Sequence, residues 1–134
     1  ALAASLLLRL LFPSHASLGA TLPAGSDAQS FVLELVLTAI LMFVILRVSS
    51  GARERGITAG IVVGAVIALE ALFAGPICGA SMNPARSLAP ALVSGQYASL
   101  WLYFAAPISG AMLGVGLCRC MREEGCCAST KEAA

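Results

Sequence analysis

The sequence predicts an all-α membrane protein, and three observations carry that expectation. Hydrophobic residues make up 59% of the 134-residue chain, charged residues only 11%, and mean hydropathy is +0.92. A soluble domain has about 25% charged residues, so this chain has too few to cover a water-facing surface. Apolar runs at 29–48, 57–74 and 99–117 are close to the roughly 20 helical residues that cross about 30 Å of hydrocarbon. Between the second and third lies a polar stretch, Gly79-Ala80-Ser81-Met82-Asn83-Pro84-Ala85-Arg86-Ser87, that opens a helix too short to cross.

In chain order, residues 1–12 are an apolar run with Arg9 inside it. The run reads as the end of a membrane helix whose start is missing, and Pro13 ends it. The chain opens on Ala inside this run, so it is expected to be a fragment or a processed product; a signal-peptide hydrophobic region is the alternative. Residues 13–28 form a loop without Lys or Arg, and its lone His15 reads as solvated rather than as a ligand. The first full span, 29–48, carries Glu34 and Thr38 four residues apart. A polar break with Arg53, Glu54 and Arg55 leads to the second span, 57–74, and Gly75-Pro76 is expected to end it.

Asn83 is the only asparagine in the chain. Asn is a favoured helix N-cap, because its side-chain oxygen accepts from a free backbone N–H. Pro84 suits the first helical position, where a missing donor costs nothing. A helix over 83–93 is therefore expected, with Arg86 one turn in, near the positive end of its dipole. A turn follows, then the third span, 99–117, and a tail, 118–134, with Arg119, Arg122 and Lys131.

The basic residues cluster in the 47–55 loop and in the tail, so the positive-inside rule puts both in the cytoplasm and the 13–28 loop outside. The Asn83 stretch then enters from the outer face. Non-helical backbone at membrane depth is tolerated only inside protein or along a water-filled cavity. A re-entrant loop ending in a half-helix presents dipoles to a permeating solute, which points to a pore or a transporter. Net charge is +1, which argues against nucleic acid as a partner. No acid, base or nucleophile clusters as an active site requires, so no enzyme, cofactor or metal is expected. Cys118, Cys120, Cys126 and Cys127 follow no usual zinc spacing. Palmitoylation, soft-metal binding and a plain reduced tail stay open for them.

Asn83-Pro84-Ala85-Arg86, on a short helix between such spans, resembles the second signature of the aquaporin or major intrinsic protein family. The preceding string Ala74-Gly75-Pro76-Ile77-Cys78-Gly79-Ala80-Ser81-Met82 is similar to the nodulin-type intrinsic proteins and their bacterial relatives. The resemblance implies a right-handed helical bundle of six spans in two inverted repeats, each with one half-helix, usually assembled as a homotetramer. This chain matches the second repeat (29–134) with the end of the third span (1–12); the first repeat would be a missing partner.

The resemblance also implies roles. Asn83 would donate to the solute at the pore centre, and Arg86 would stand in the outer selectivity filter, repelling cations and hydrogen-bonding hydroxyls as a permanently charged donor. As a buried charge, Arg86 is also expected to bond loop carbonyls. Gly79 belongs to the same pore-lining stretch, and Ala80 and Ala71 match two further filter positions. Two alanines leave a wide opening that fits glycerol, urea or a neutral metalloid hydroxide such as arsenite, with water. Pro84 and Ala85 support the half-helix, and Glu34 would accept from backbone N–H groups of the re-entrant loop. For Glu70 two readings stay open: a second loop acceptor, or a carboxylate that pairs Arg86 or tunes entry. Gly60 and Gly64, and likewise Gly110 and Gly114, form small-residue faces that let helices approach closely in the lipid bilayer. The expected function is a passive channel for small neutral solutes. Its rivals are a water-selective channel, a truncated non-conducting subunit, and half of an ion-coupled transporter.

Overall fold

The computed structural model describes residues 1–49 and 55–121, with side chains at 1–49 and 58–121. Five helices follow one another: α1 (Leu2–Leu11), α2 (Asp27–Ser49), α3 (Arg55–Cys78), α4 (Pro84–Ser94) and α5 (Leu102–Cys120). Segments within α2, α3 and α5, at Asp27–Ser49, Thr58–Cys78 and Leu102–Cys120, are long and apolar enough to cross a membrane; α1 and α4 are not. At 1.5 Å per residue, α4 is about 16 Å long, roughly half the hydrocarbon thickness.

The helix boundaries follow from local chemistry. Ser26 Oγ accepts from Gln29 N at 3.2 Å, which satisfies one free donor at the start of α2. Opposite it, Ser99 Oγ donates to Asp27 Oδ1 at 3.0 Å, and Phe31 stacks on Trp101 with ring centroids 6.0 Å apart. These contacts fasten the loop before α5 to the start of α2.

Two boundaries depart from the sequence expectation. The second span does not break at Gly75-Pro76 but runs to Cys78. A proline removes only one backbone bond, and so close to a helix end that loss is small. The residue that ends the helix is Gly79, which is left-handed at φ +85° and whose N–H reaches back to Gly75 O at 3.0 Å. The third span starts at Leu102 rather than 99, because 99–101 form turns, and it continues through Cys120 into the expected tail.

The most extensive helix contact is between α2 and α5; α2 also packs on α3, while α1 packs on α4. Glycines make the first of these close. A Cβ added at Gly114 would lie 2.6 Å from Ala39 O and 3.0 Å from Met42 Cβ, and one at Gly110 would run into Leu35 O. Gly60 and Gly64 are different: nothing lies within 4 Å of a Cβ at either. The packing role read for them is not seen, because they lie off the Glu70, Ala74, Cys78 edge by which α3 is buried.

A small core of Leu37, Ala74, Cys78, Ala80 and Met82 sits where α2, α3 and the 79–83 loop meet. Elsewhere large apolar side chains point outward, Leu72 at 78% exposure and Met112 at 71% among them. That pattern is costly in water and natural where lipid is the solvent. Of the tail cysteines, Cys118 is buried and Cys120 is a free exposed thiol. Cys126 and Cys127, most of the 47–55 loop, and the tail from 122 lie outside the described residues.

Candidate functional site

The site begins where α3 stops. After Gly79, Ala80 (φ +40°) and Met82 (φ +51°) are also left-handed. Such backbone costs an L-residue roughly 1–2 kcal/mol. The turn aims two consecutive N–H groups at one side chain. Ser81 N donates to Glu34 Oε1 at 2.7 Å and Met82 N to Glu34 Oε2 at 2.8 Å. Glu34 has no exposed surface, so its carboxylate is spent wholly on these donors. Hydrogen bonds to a charged acceptor contribute about 1.5–3 kcal/mol each, enough to hold the strained turn. One turn on, Thr38 Oγ donates to Glu34 O at 2.7 Å.

Tyr103 holds the loop from the far side. Its hydroxyl donates to Cys78 O at 2.6 Å, satisfying a carbonyl at the end of α3 that has no helical partner. The 13–26 loop closes over the top. Ala24 N donates to Ile77 O at 2.9 Å, and Thr21 lies against Gly79, where an added Cβ would come within 3.1 Å of its methyl. Thr21 Oγ donates to Ser87 Oγ at 2.6 Å; Ser87 Oγ lies 2.5 Å from Ser81 Oγ, which donates to Asn83 O at 2.8 Å.

So anchored, the loop delivers the start of α4. Asn83 is extended, and its Oδ1 accepts from Ala85 N at 2.9 Å. Capping uses the oxygen end of the amide. The two N–H donors at the other end have no partner among the described residues, and Asn83 is exposed. Pro84 takes the first helical position. Arg86, one turn in, is also exposed, and its guanidinium makes no hydrogen bond or ion pair among the described residues. The expected bond from Arg86 to loop carbonyls is therefore absent: the nearby backbone is already held by Glu34, Tyr103 and the hydroxyls.

Asn83, Ala85 and Arg86 face a groove of about 540 Å³ whose other wall is Ala1 with Ala4, Ser5 and Leu8 of α1, and Leu18 and Gly19 line it too. The positive end of a helix, a permanent cation and free amide donors thus share one apolar-walled space. Such a site favours hydrogen-bond acceptors and repels cations.

Other expected site residues sit elsewhere. Ala80 is buried in the core by its left-handed backbone. Ala71 is exposed on α3, which makes no contact with α4 among the described residues. Neither reaches the wall that holds Arg86. Gly79 packs under Thr21 instead of facing the groove. Glu70 is 3% exposed, and among the described residues neither carboxylate oxygen has a partner. It is thus neither a second loop acceptor nor a partner of Arg86, because Glu34 already takes the two loop donors. What the sequence reading did not anticipate are the hydrogen bonds of Thr21, Ser81, Ser87 and Tyr103, and the α1 wall. Ser81 and Ser87 flank the signature and were within reach; Thr21 and Tyr103 carry no local signal.

The major intrinsic protein family model matches residues 1–117. The chain is 52% identical over 115 residues to aquaporin NIP1-4 of Oryza sativa subsp. japonica, covering 85% of this chain and 42% of that protein. It is 45% identical over 108 residues to nodulin-26 of Glycine max (80% and 40%), and 53% identical over 94 residues to aquaporin NIP3-1 of Arabidopsis thaliana (70% and 29%). The chain thus spans well under half the length of these curated relatives. With its three span-length apolar helices, it is an integral multi-pass membrane protein. The chain belongs to the major intrinsic protein family.

Proposed function

We propose that this chain is the second repeat of a six-span passive channel for small neutral solutes: glycerol, urea or metalloid hydroxides, together with water. One observation carries the reading. The unbonded amide donors of Asn83 and the unbonded guanidinium of Arg86 face the same groove, at the positive end of a half-length helix. The relatives named aquaporins and nodulin-26 support it. A first repeat would supply the facing half-helix and close the open side of the groove. The 1–12 segment is then the end of the third span, 13–28 an outer loop, and the C-terminus cytoplasmic. Assembly as a homotetramer fits the same reading. No chemistry is catalysed.

Swelling of proteoliposomes in gradients of water, glycerol and arsenite tests this. Faster entry of all three than into empty vesicles is expected. Water entry without glycerol or arsenite would mean a water-selective channel and refute the wide opening. No conduction at all would leave a packing subunit.

A further inference from the structure

The three hydroxyls above the half-helix form a chain with a fixed direction. Each has one proton. Ser81 Oγ gives its proton to Asn83 O, and Thr21 Oγ gives its own to Ser87 Oγ. Ser87 must therefore donate to Ser81, and the chain runs Thr21 to Ser87 to Ser81 to Asn83 O. All three residues are buried, Ser87 to 1% exposure. The acceptor at its end is the first carbonyl of α4, which also takes Arg86 N at 3.1 Å and Ser87 N at 3.4 Å.

We propose that Thr21 is a positioning residue: through Ser87 and Ser81 it holds the first turn of α4, and so the Arg86 guanidinium, where it discriminates among neutral solutes. Among the described residues the Arg86 side chain makes no hydrogen bond, so the backbone from which it projects is what anchors it. That backbone is gripped at Asn83 O by this chain. The 13–26 loop, 66 residues from Ser87 along the sequence, thereby becomes part of the selectivity apparatus without touching solute. The proposal rests on the channel reading for its effect on transport, but the hydroxyl chain is testable apart from transport.

The variants separate hydroxyl from methyl. Thr21→Val keeps the methyl that lies on Gly79 and removes the donor; Thr21→Ser does the reverse. Each variant is prepared in the whole six-span channel and reconstituted. Losing one buried hydrogen bond should lower the glycerol-to-water permeability ratio roughly fivefold in Thr21→Val, while Thr21→Ser stays within about twofold of the parent. Thr21→Val combined with Ser87→Ala should match Ser87→Ala alone, because both cut one chain. Amide hydrogen exchange over 81–87 in the same membranes is the second readout, and it should rise in Thr21→Val and not in Thr21→Ser. A parental ratio and parental exchange in Thr21→Val would overturn the proposal. So would Thr21→Ser failing like Thr21→Val, which would assign the effect to packing, or simple additivity of the double variant. If the parent conducts nothing, the channel reading fails, and the exchange data alone decide the hydroxyl chain.

Discussion

Replacing Glu34 by Gln probes the joint on which the half-helix depends. The two side chains have nearly the same shape, so packing is unchanged and only hydrogen-bonding capacity differs. The carboxylate accepts from Ser81 N and Met82 N with separate oxygens, at 2.7 and 2.8 Å. An amide can accept only one of these. Its NH2 end would face the other N–H, donor against donor, with no water to relieve it, because Glu34 is fully buried. The loss of one charge-assisted bond and the orphaning of a buried N–H together cost about 3–5 kcal/mol. The left-handed residues Ala80 and Met82 would then relax, since the Glu34 bonds are the ones made directly to this turn's N–H groups and offset its strain of roughly 1–2 kcal/mol per residue. Hydrogen exchange at the Ser81 and Met82 amides, measured in membranes, reads the change directly. At 1.4 kcal/mol per decade, exchange should accelerate on the order of 100-fold or more at one amide at least. Exchange within about twofold of the parent at both amides would refute the argument, because it would mean that the loop is held by something other than the Glu34 bonds.

Three further perturbations follow from the same geometry. Glu70→Leu removes a buried carboxylate with no partner among the described residues and should raise stability by about 1–3 kcal/mol in thermal unfolding of the purified protein; an unchanged or lower midpoint contradicts this. Gly114→Leu forces a side chain against Ala39 O and Met42, and should cost about 1–3 kcal/mol by prising α2 from α5, whereas Gly60→Leu on the open face of α3 should be close to neutral in the same assay. Tyr103→Phe leaves Cys78 O without its donor and should lower stability by about 1–3 kcal/mol, again by thermal unfolding, with little change in helix content.

Much of the site was legible in the sequence because its local rules are strong. Asn83 followed by Pro84 announces a helix start from residue chemistry alone, and the half-length of α4 follows from the turn at Gly95. Glu34 stood out because a carboxylate within an apolar run needs donors. What could not be read were contacts made across large sequence separations. Thr21 meets Ser87 and Tyr103 meets Cys78 only once the chain is folded, and a threonine in a loop or a tyrosine on a span announces neither bond. Pro76 misled because its effect depends on how close the helix end lies, which Gly79 decides by its backbone rather than by its identity alone. Gly60 and Gly64 show the same limit: a small-residue stripe marks a possible close approach, not which helix arrives.

The central claim is that Asn83 and Arg86 form half of a path for neutral solutes from which cations are excluded. The most direct test measures glycerol flux and cation current together in vesicles holding the whole channel, for the parent and for Arg86→Ala. The account predicts glycerol flux without current in the parent, and a measurable cation current once the fixed charge is removed. A parent that carries no glycerol, or an Arg86→Ala channel as tight to cations as the parent, would contradict it.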